Sequence, residues 1–591
     1  MLPKTRLLAL ISFIIAATMI LSACAVPPAT PAEPTTAAPG EEEPTAPPAE
    51  EPTEPTEPAD GAQPLPADAS YDNYINMNLA TEPPTLDPNL ATDTTSVQCV
   101  ELLFLGLTDF EDDTLETIPE LATEWSVSDD GLVWTFTMRD DGQWVHYNPT
   151  DRTAEVMGPV TAHDIVYSVR RTLDPATASD YGYVDYIIKN GEAVNTGENT
   201  DVESVGVRAV DDYTVEFTLE QPAGYFPGIA GMWINRPVPQ TVIEQYGDSW
   251  TEAGNLWTNG PYLLETWEHE NRIVMVKNPY YYATDTVQIG TVNFVMVTED
   301  STAFSMYENG ELDVQNPPLD DMDRIKADPM LSEELTIAPD LCQYYFGFNN
   351  TKAPFDNVLV RQAFSYALDR QRLIDDVLKG EQRPAWSFAP PGIFGSVADR
   401  EDFPGIVFDP ERAQELLTEA GFPNGEGLPP ITLMYNTSEG HQKIAEFAQQ
   451  SWRENLGVEV QLANQEWAVF LDTVDEDAPQ IYRMGWCADY PDQNNWVLEV
   501  FHPTKSSNDP KWDPESESAQ AFMAAVEGAA ASADPDEREE LYFEAERILN
   551  VDEAVVLPVY YYSRVVMTKP FVTRTFAALG GEHIDKWTVN R

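Results

Sequence analysis

From Tyr71 onward, apolar positions recur in two rhythms. Alternation over Val133–Met138, Val215–Leu219 and Ile273–Val276 predicts strands with one buried face. Helical spacing of apolar residues predicts helices over Ala162–Thr172, Val358–Leu378, Glu411–Ala420 and His441–Leu456. Asp409-Pro410 supplies an N-cap and a first-turn proline for the third of these, and Gly421 closes it. The acidic pairs Asp129-Asp130 and Asp211-Asp212 stand before strand-like runs, where turn residues belong. The class is mixed α/β. No motif recurs at a spacing of roughly 20–50 residues, which excludes a solenoid.

The N-terminus follows a different pattern. Lys4 and Arg6 precede an apolar run from Leu7 to Leu21, short for a membrane-spanning helix and suited to a cleaved export signal. Leu21-Ser22-Ala23-Cys24 then resembles a bacterial lipobox, in which Cys24 accepts lipid and becomes the new N-terminus. An ordinary signal peptide with an incidental cysteine is the competing reading. From Ala25 to Ser70 the chain is rich in Pro, Thr, Ala and Glu, with no aromatic and no basic residue. Such a segment cannot bury enough apolar surface to offset its ordering entropy, and proline with like charge extends it. Residues 1–23 are therefore expected to be a signal peptide and 24–70 a disordered tether. A glycosylated stalk is the alternative for the tether.

Composition narrows the function classes. The chain has 591 residues and a formal net charge of -67. Nucleic acid and anionic lipid need clustered Lys and Arg, so both are excluded as partners, and contact with a membrane is expected through N-terminal lipid only. No nucleophile elbow, phosphate-binding glycine loop or His-Glu-x-x-His motif occurs, and the six histidines are scattered. No cofactor, no metal site and no catalytic activity are expected. Of Cys24, Cys99, Cys342 and Cys487, three remain for disulfide chemistry if Cys24 carries lipid, enough for one intrachain bridge.

Several segments together resemble the large peptide-binding proteins of bacterial ABC importers, family 5 of the extracellular solute-binding proteins. They are Glu82-Pro83-Pro84-Thr85-Leu86-Asp87-Pro88, then Pro119–Trp125 with Asp130–Phe136, then Val160–Ser168. Asn259-Gly260-Pro261-Tyr262, Asn278-Pro279-Tyr280-Tyr281, Phe348-Asn349-Asn350 and Pro354–Arg361 continue the series in order. Tyr435–His441, Asn464–Trp467 and Arg483–Tyr490 resemble the oligopeptide-binding members most.

This resemblance implies a two-lobed periplasmic-binding-protein-like fold (type II, cluster C) with an extra small domain and a hinge between the lobes. One lobe would comprise 71–94, 239–341 and 557–591, the small domain 95–238, and the other lobe 342–556. It implies capture of short peptides by a monomer and delivery to an ABC permease with its ATPase subunits. By the same resemblance, Asp489 would hold the peptide ammonium, Arg483 and His441 would meet the carboxylate, and Trp467 and Trp486 would wall side-chain pockets. Glu82 would lie at the site, and Cys342 and Cys487 would form a disulfide. Cys99, without a counterpart, would be a buried free thiol.

The residue types suit the task. A buried zwitterion needs both terminal charges paired, and a guanidinium fork matches a carboxylate. The segment Tyr482–Cys487 can add a peptide backbone as a strand. Read without the family, Asp489 is rather a turn residue before Pro491, Arg483 a surface ion pair and His441 a helix-start residue, while the tryptophans are equally core. Tyr344, Tyr345 and Phe346 face either the cleft or the core. Gly347 stands where the family has an acidic side chain, which puts in doubt any preference for basic ligands; Asp492-Gln493-Asn494-Asn495 also departs from the pattern. A nickel complex, haem, a cell-wall peptide or an oligosaccharide remains an alternative solute on the same fold. So does a role as a signalling or adhesion lipoprotein.

Overall fold

The computed structural model describes residues 63–65, 73–112 and 114–591. The expected signal peptide, Cys24 and nearly all of the expected tether lie outside the described residues. Residues 63–65 of that expected tether are among the described residues. Gln63 and Pro64 pair with Ala154 and Thr153, and Leu65 donates its N–H to Arg152 O at 3.1 Å. Leu65 also packs on a small apolar cluster that includes Val145 and Tyr147.

The alternating segments become strands as expected. Val133–Met138 is the second strand of a four-stranded antiparallel sheet, between Ala122–Val127 and Thr214–Thr218, with Val207–Asp211 at the edge. Its even positions Trp134, Phe136 and Met138 are buried, as are Val215 and Phe217 of its neighbour. Helix Ala162–Leu173 covers this sheet with Ile165, Val166, Val169 and Leu173. A capping box starts it: Asp164 accepts the Thr161 N–H at 2.7 Å.

The dominant feature is an eleven-stranded mixed sheet. Two long antiparallel strands, Leu335–Phe348 and Val556–Thr568, lie side by side within it. On one side stand Val314–Gln315, Tyr74–Asn78, Thr291–Val295, Arg272–Lys277 and Tyr262–Glu268; on the other stand Ile481–Cys487, Ile431–Asn436 and Val460–Gln465. The two halves own separate cores. Ile75, Tyr262, Val292 and Trp587 belong to one, whereas Phe346, Trp452 and Leu433 belong to a second and Trp496, Phe522 and Tyr542 to a third. The ladder between the long strands is broken between Pro339 and Gln343. A pair of strands shared by two cores, with its register interrupted between them, is the geometry of a hinge.

One helix differs from expectation. The run Val358–Leu378 is not continuous: Val358–Tyr366 ends, and Arg370–Leu373 starts again before a wider turn over Ile374–Leu378. Asp369 causes the restart by accepting the Arg372 N–H at 3.0 Å. Arg370 then buries its guanidinium against backbone, donating to Pro558 O at 2.7 Å. The helices Pro410–Glu419 and Glu439–Leu456 match expectation, capped by Asp409 and Ser438. Gly421 and Gly457 follow them with φ of 95° and 71°, the left-handed region open to glycine.

Candidate functional site

A cavity of about 1020 Å³ lies between the two halves, lined by both and by the 95–238 region. Its size stands at the top of the roughly 300–1,000 Å³ range usual for small-molecule sites. The strand Ile481–Cys487 forms one wall. One edge pairs with Leu335–Phe348 along its whole length, from Cys342↔Cys487 to Phe348↔Ile481, and Cys342 and Cys487 form a disulfide there. The other edge pairs with Ile431–Asn436 only at Leu433↔Ile481 and Met434↔Tyr482. Among the described residues, 483–487 thus have no strand partner on that side, and Arg483 through Cys487 all line the cavity.

Arg483 is 8% exposed. Its Nη1 donates to Asn436 Oδ1 at 3.1 Å and its Nη2 to the Tyr562 hydroxyl at 2.9 Å, while the guanidinium sits 4.8 Å over the Tyr344 ring. Nε is buried without a partner. Among the described residues no carboxylate pairs with it, an unusual state for a buried cation. His441, in the first turn of Glu439–Leu456, lies beside it with its ring centroid 5.6 Å from that of Tyr344. Burial and the Arg483 cation hold its imidazole well below the usual range, so the ring is neutral at pH 7. Its Nδ1 is also buried without a partner.

Asp489 follows the strand in the same wall. Its Oδ2 accepts from Asn495 Nδ2 at 2.7 Å and from the Tyr181 hydroxyl at 3.1 Å. Burial pushes its carboxyl up to about 7, although both hydrogen bonds pull it down. Among the described residues it makes no ion pair. Arg483 is thus an uncompensated guanidinium of the cavity and Asp489 an uncompensated carboxylate; Asp180, Asp300, Asp472, Asp475 and Asp509 also line it and, among the described residues, make no ion pair. Its other basic groups are committed: Arg564 pairs with Asp340 at 3.3 Å and Glu582 at 2.7 Å, and Arg574 also pairs with Glu582.

The tryptophans line the cavity and tie its walls together. Trp467 Nε1 donates to Asp93 Oδ1 at 3.1 Å. Trp486 stacks on Tyr181 at 6.0 Å and 18° and donates to Asn495 Oδ1 at 3.2 Å. Tyr345 touches the cavity but is 1% exposed and packs on Phe388 and Phe501. Tyr344 and Phe346 are wholly buried. Glu82 is not brought to the cavity wall. Its oxygens take Trp267 Nε1 and His269 Nδ1, each at 2.8 Å, and the Glu270 N–H at 2.6 Å, so it is spent on a local turn. Cys99 is a buried free thiol.

Two departures in the sequence now have physical content. A Cβ on Gly347 would lie 2.1 Å from Tyr482 Cζ, so the Tyr482 ring occupies the space of any side chain there. In the second departure, Asp492 is held by Arg538 at 2.7 Å, Gln493 donates to Glu546 at 2.6 Å, and Asn495 grips Asp489. Sequence reasoning missed Tyr181, Asn436, Asn495 and Tyr562. Only Asn495 carried a signal, through that departure.

The comparisons agree with this architecture. A model of bacterial extracellular solute-binding proteins, family 5 (middle), matches residues 116–508. The chain belongs to this family. The periplasmic oligopeptide-binding protein OppA of Salmonella typhimurium is 36% identical over 501 residues, 84% of this chain and 88% of that protein. Haemophilus influenzae OppA, solved in complex with RPPGFSPFR, superposes with a TM-score of 0.77 at 28% identity, covering 88% of this chain and 99% of that one. The Escherichia coli murein tripeptide binding protein MppA gives 0.79 at 28% identity over 88% and 99% of the two chains. The unliganded open form of MppA gives only 0.60 at 28% identity over 90% and 99%. The Tyr181–Asp489 and Trp467–Asp93 bonds join residues on different walls of the cavity.

Proposed function

We propose that this family 5 protein captures short peptides between its closing lobes and delivers them to an ABC permease and its ATPase subunits, performing no chemistry on them. The observation that carries this reading is the buried Arg483 guanidinium without a carboxylate in the same cavity wall as the Asp489 carboxylate without a cation. Asp489 lacks a cation and Arg483 lacks an anion, and a zwitterion supplies both. Asp489 takes the α-ammonium. Arg483, with neutral His441 beside it, takes the α-carboxylate. The open strand edge at 483–487 takes the peptide backbone, and Trp467 and Trp486 flank its side chains. The cavity leaves room for water around varied side chains, which favours tolerance of sequence. The names of the relatives, oligopeptide- and murein-tripeptide-binding, support the same ligand class.

The lobes divide in this reading as 71–94 with 239–341 and 557–591, against 342–556, with 95–238 as the added domain. Cys24 carries the lipid that keeps the protein on the outer face of the bacterial membrane, and the protein works as a monomer. The test is calorimetry with tri-alanine and its N-acetylated and C-amidated forms. Tri-alanine binds and each blocked form binds at least about tenfold more weakly, as expected when one buried charge loses its partner. Equal binding of all three would overturn the reading.

A further inference from the structure

Behind Asp489 stands a second carboxylate that does not touch the cavity. Glu499, on the helix Gln493–Phe501, is 2% exposed. Asn495 lies one turn before it on the same helix and joins the two acids. Its Nδ2 donates to Asp489 Oδ2 at 2.7 Å and to Glu499 Oε2 at 2.8 Å, one hydrogen to each. The amide cannot be turned over, because its Oδ1 already accepts the Asp489 N–H at 3.0 Å and Trp486 Nε1 at 3.2 Å.

Among the described residues no cation pairs with either acid. Tyr181 donates to Asp489, and Glu101 faces it from the helix Thr94–Leu103. Around Glu499 stand the Tyr490 hydroxyl, Asn494 Nδ2 at 3.3 Å, Tyr183, Tyr225 and Asp492. Arg538, the guanidinium on that side, is bound to both oxygens of Asp492 at 2.7 and 2.9 Å. Two carboxylates bridged by one amide in a low-dielectric site cannot both ionise cheaply without a positive charge. In the free protein a proton can supply that charge.

We propose that the Asp489–Asn495–Glu499 cluster retains a proton while the cleft holds no cation and releases it to solvent when an ammonium docks on Asp489, so that ligand capture is coupled to proton release. This rests on the reading above that Asp489 receives an ammonium. The proton leaves a carboxyl oxygen for the buffer, and the ammonium takes over its hydrogen-bonding and its charge. Burial pushes Asp489 up to about 7 and Glu499 up to about 8, with Asp489 adding to the latter. Because the bound state favours the ionised carboxylate, affinity falls as pH falls through these values, by up to about tenfold per pH unit. Glu499 thereby acts as a positioning and charge-tuning residue, extending the proton release to higher pH than Asp489 alone would.

The test is calorimetry of tri-alanine binding in buffers of different ionisation heat, at about pH 6 and about pH 7.5, for the unmodified protein and Glu499→Gln. At about pH 6 both proteins release about one proton per peptide. At about pH 7.5 the unmodified protein releases at least about 0.3 proton more than Glu499→Gln; uptake by the peptide amine is common to both and cancels. Difference infrared spectra of the unmodified protein supply a readout that needs no variant: a protonated-carboxyl stretch disappears on adding tri-alanine. Binding without proton release at either pH, or without loss of that stretch, overturns the proposal. Equal release by both proteins at the higher pH removes Glu499 from it. Tight binding that survives Asp489→Asn unchanged would instead sink the ammonium reading itself.

Discussion

Asp489→Asn is the most informative single substitution. It preserves side-chain volume and removes the charge that the proposed ammonium needs. In the cleft the carboxylate is held by Asn495 and Tyr181 and has no cation of its own. Breaking a buried ion pair by removing one partner costs about 3–5 kcal/mol. Two effects reduce this. The carboxyl, raised to about 7, must shed its proton on binding; at pH 7 this amounts to only about 0.4 kcal/mol. Water in the large cavity can also solvate part of the stranded ammonium. The net loss is about 2–4 kcal/mol, or roughly 30- to 900-fold in Kd. Calorimetry with tri-alanine at about pH 7.5 measures it. A loss below about threefold would refute the assignment, because no buried unpaired ammonium is that cheap.

The same substitution should stabilise the ligand-free protein, with a defined sign. A carboxyl whose folded value is raised costs stability as pH climbs from its unfolded value, about 3.9, to its folded one. Asp489→Asn should therefore melt above the unmodified protein at about pH 8 and not at about pH 4; a difference independent of pH would contradict the burial argument. Arg483→Gln should weaken tri-alanine by at least about tenfold and leave the binding of its C-amidated form unchanged, as titration of both peptides will show. Gly347→Ala should lower the urea midpoint by the equivalent of about 1–3 kcal/mol, since its Cβ would meet the buried Tyr482 ring at 2.1 Å; an unchanged midpoint would mean that the ring moves freely.

Much of the fold was legible because it is written in local patterns. Val133–Met138 alternates because it has one buried face, and Pro410–Glu419 carries its own cap and stop. The break at Asp369 was not legible. Apolar spacing continues through it; the Asp369 cap restarts the helix locally, and the hold of Arg370 on the carbonyl of Pro558 that accompanies it is a tertiary contact 188 residues away. The pairing of Gln63-Pro64 with Ala154 and Thr153 was not legible either, because it joins segments about 90 residues apart.

In the site, resemblance pointed to the residues that line the cavity, but not to what holds them. Asn495 is six residues from Asp489, yet its role depends on an amide shared with Glu499. Tyr181 lies 308 residues from Asp489, so nothing in the local sequence announces their contact. Glu82 shows the reverse limit. Its motif is present, but His269 and Trp267 take its oxygens, and nothing in the local sequence announces them.

In this reading one small zwitterion joins Asp489 to Arg483 across the cavity. A crystal structure of the protein with tri-alanine tests it most directly. The account predicts the peptide amine within hydrogen-bond reach, about 2.7–3.2 Å, of Asp489 and its carboxylate on Arg483 and His441. A peptide in the reverse direction, or one whose termini leave Asp489 and Arg483 without contact, would contradict it.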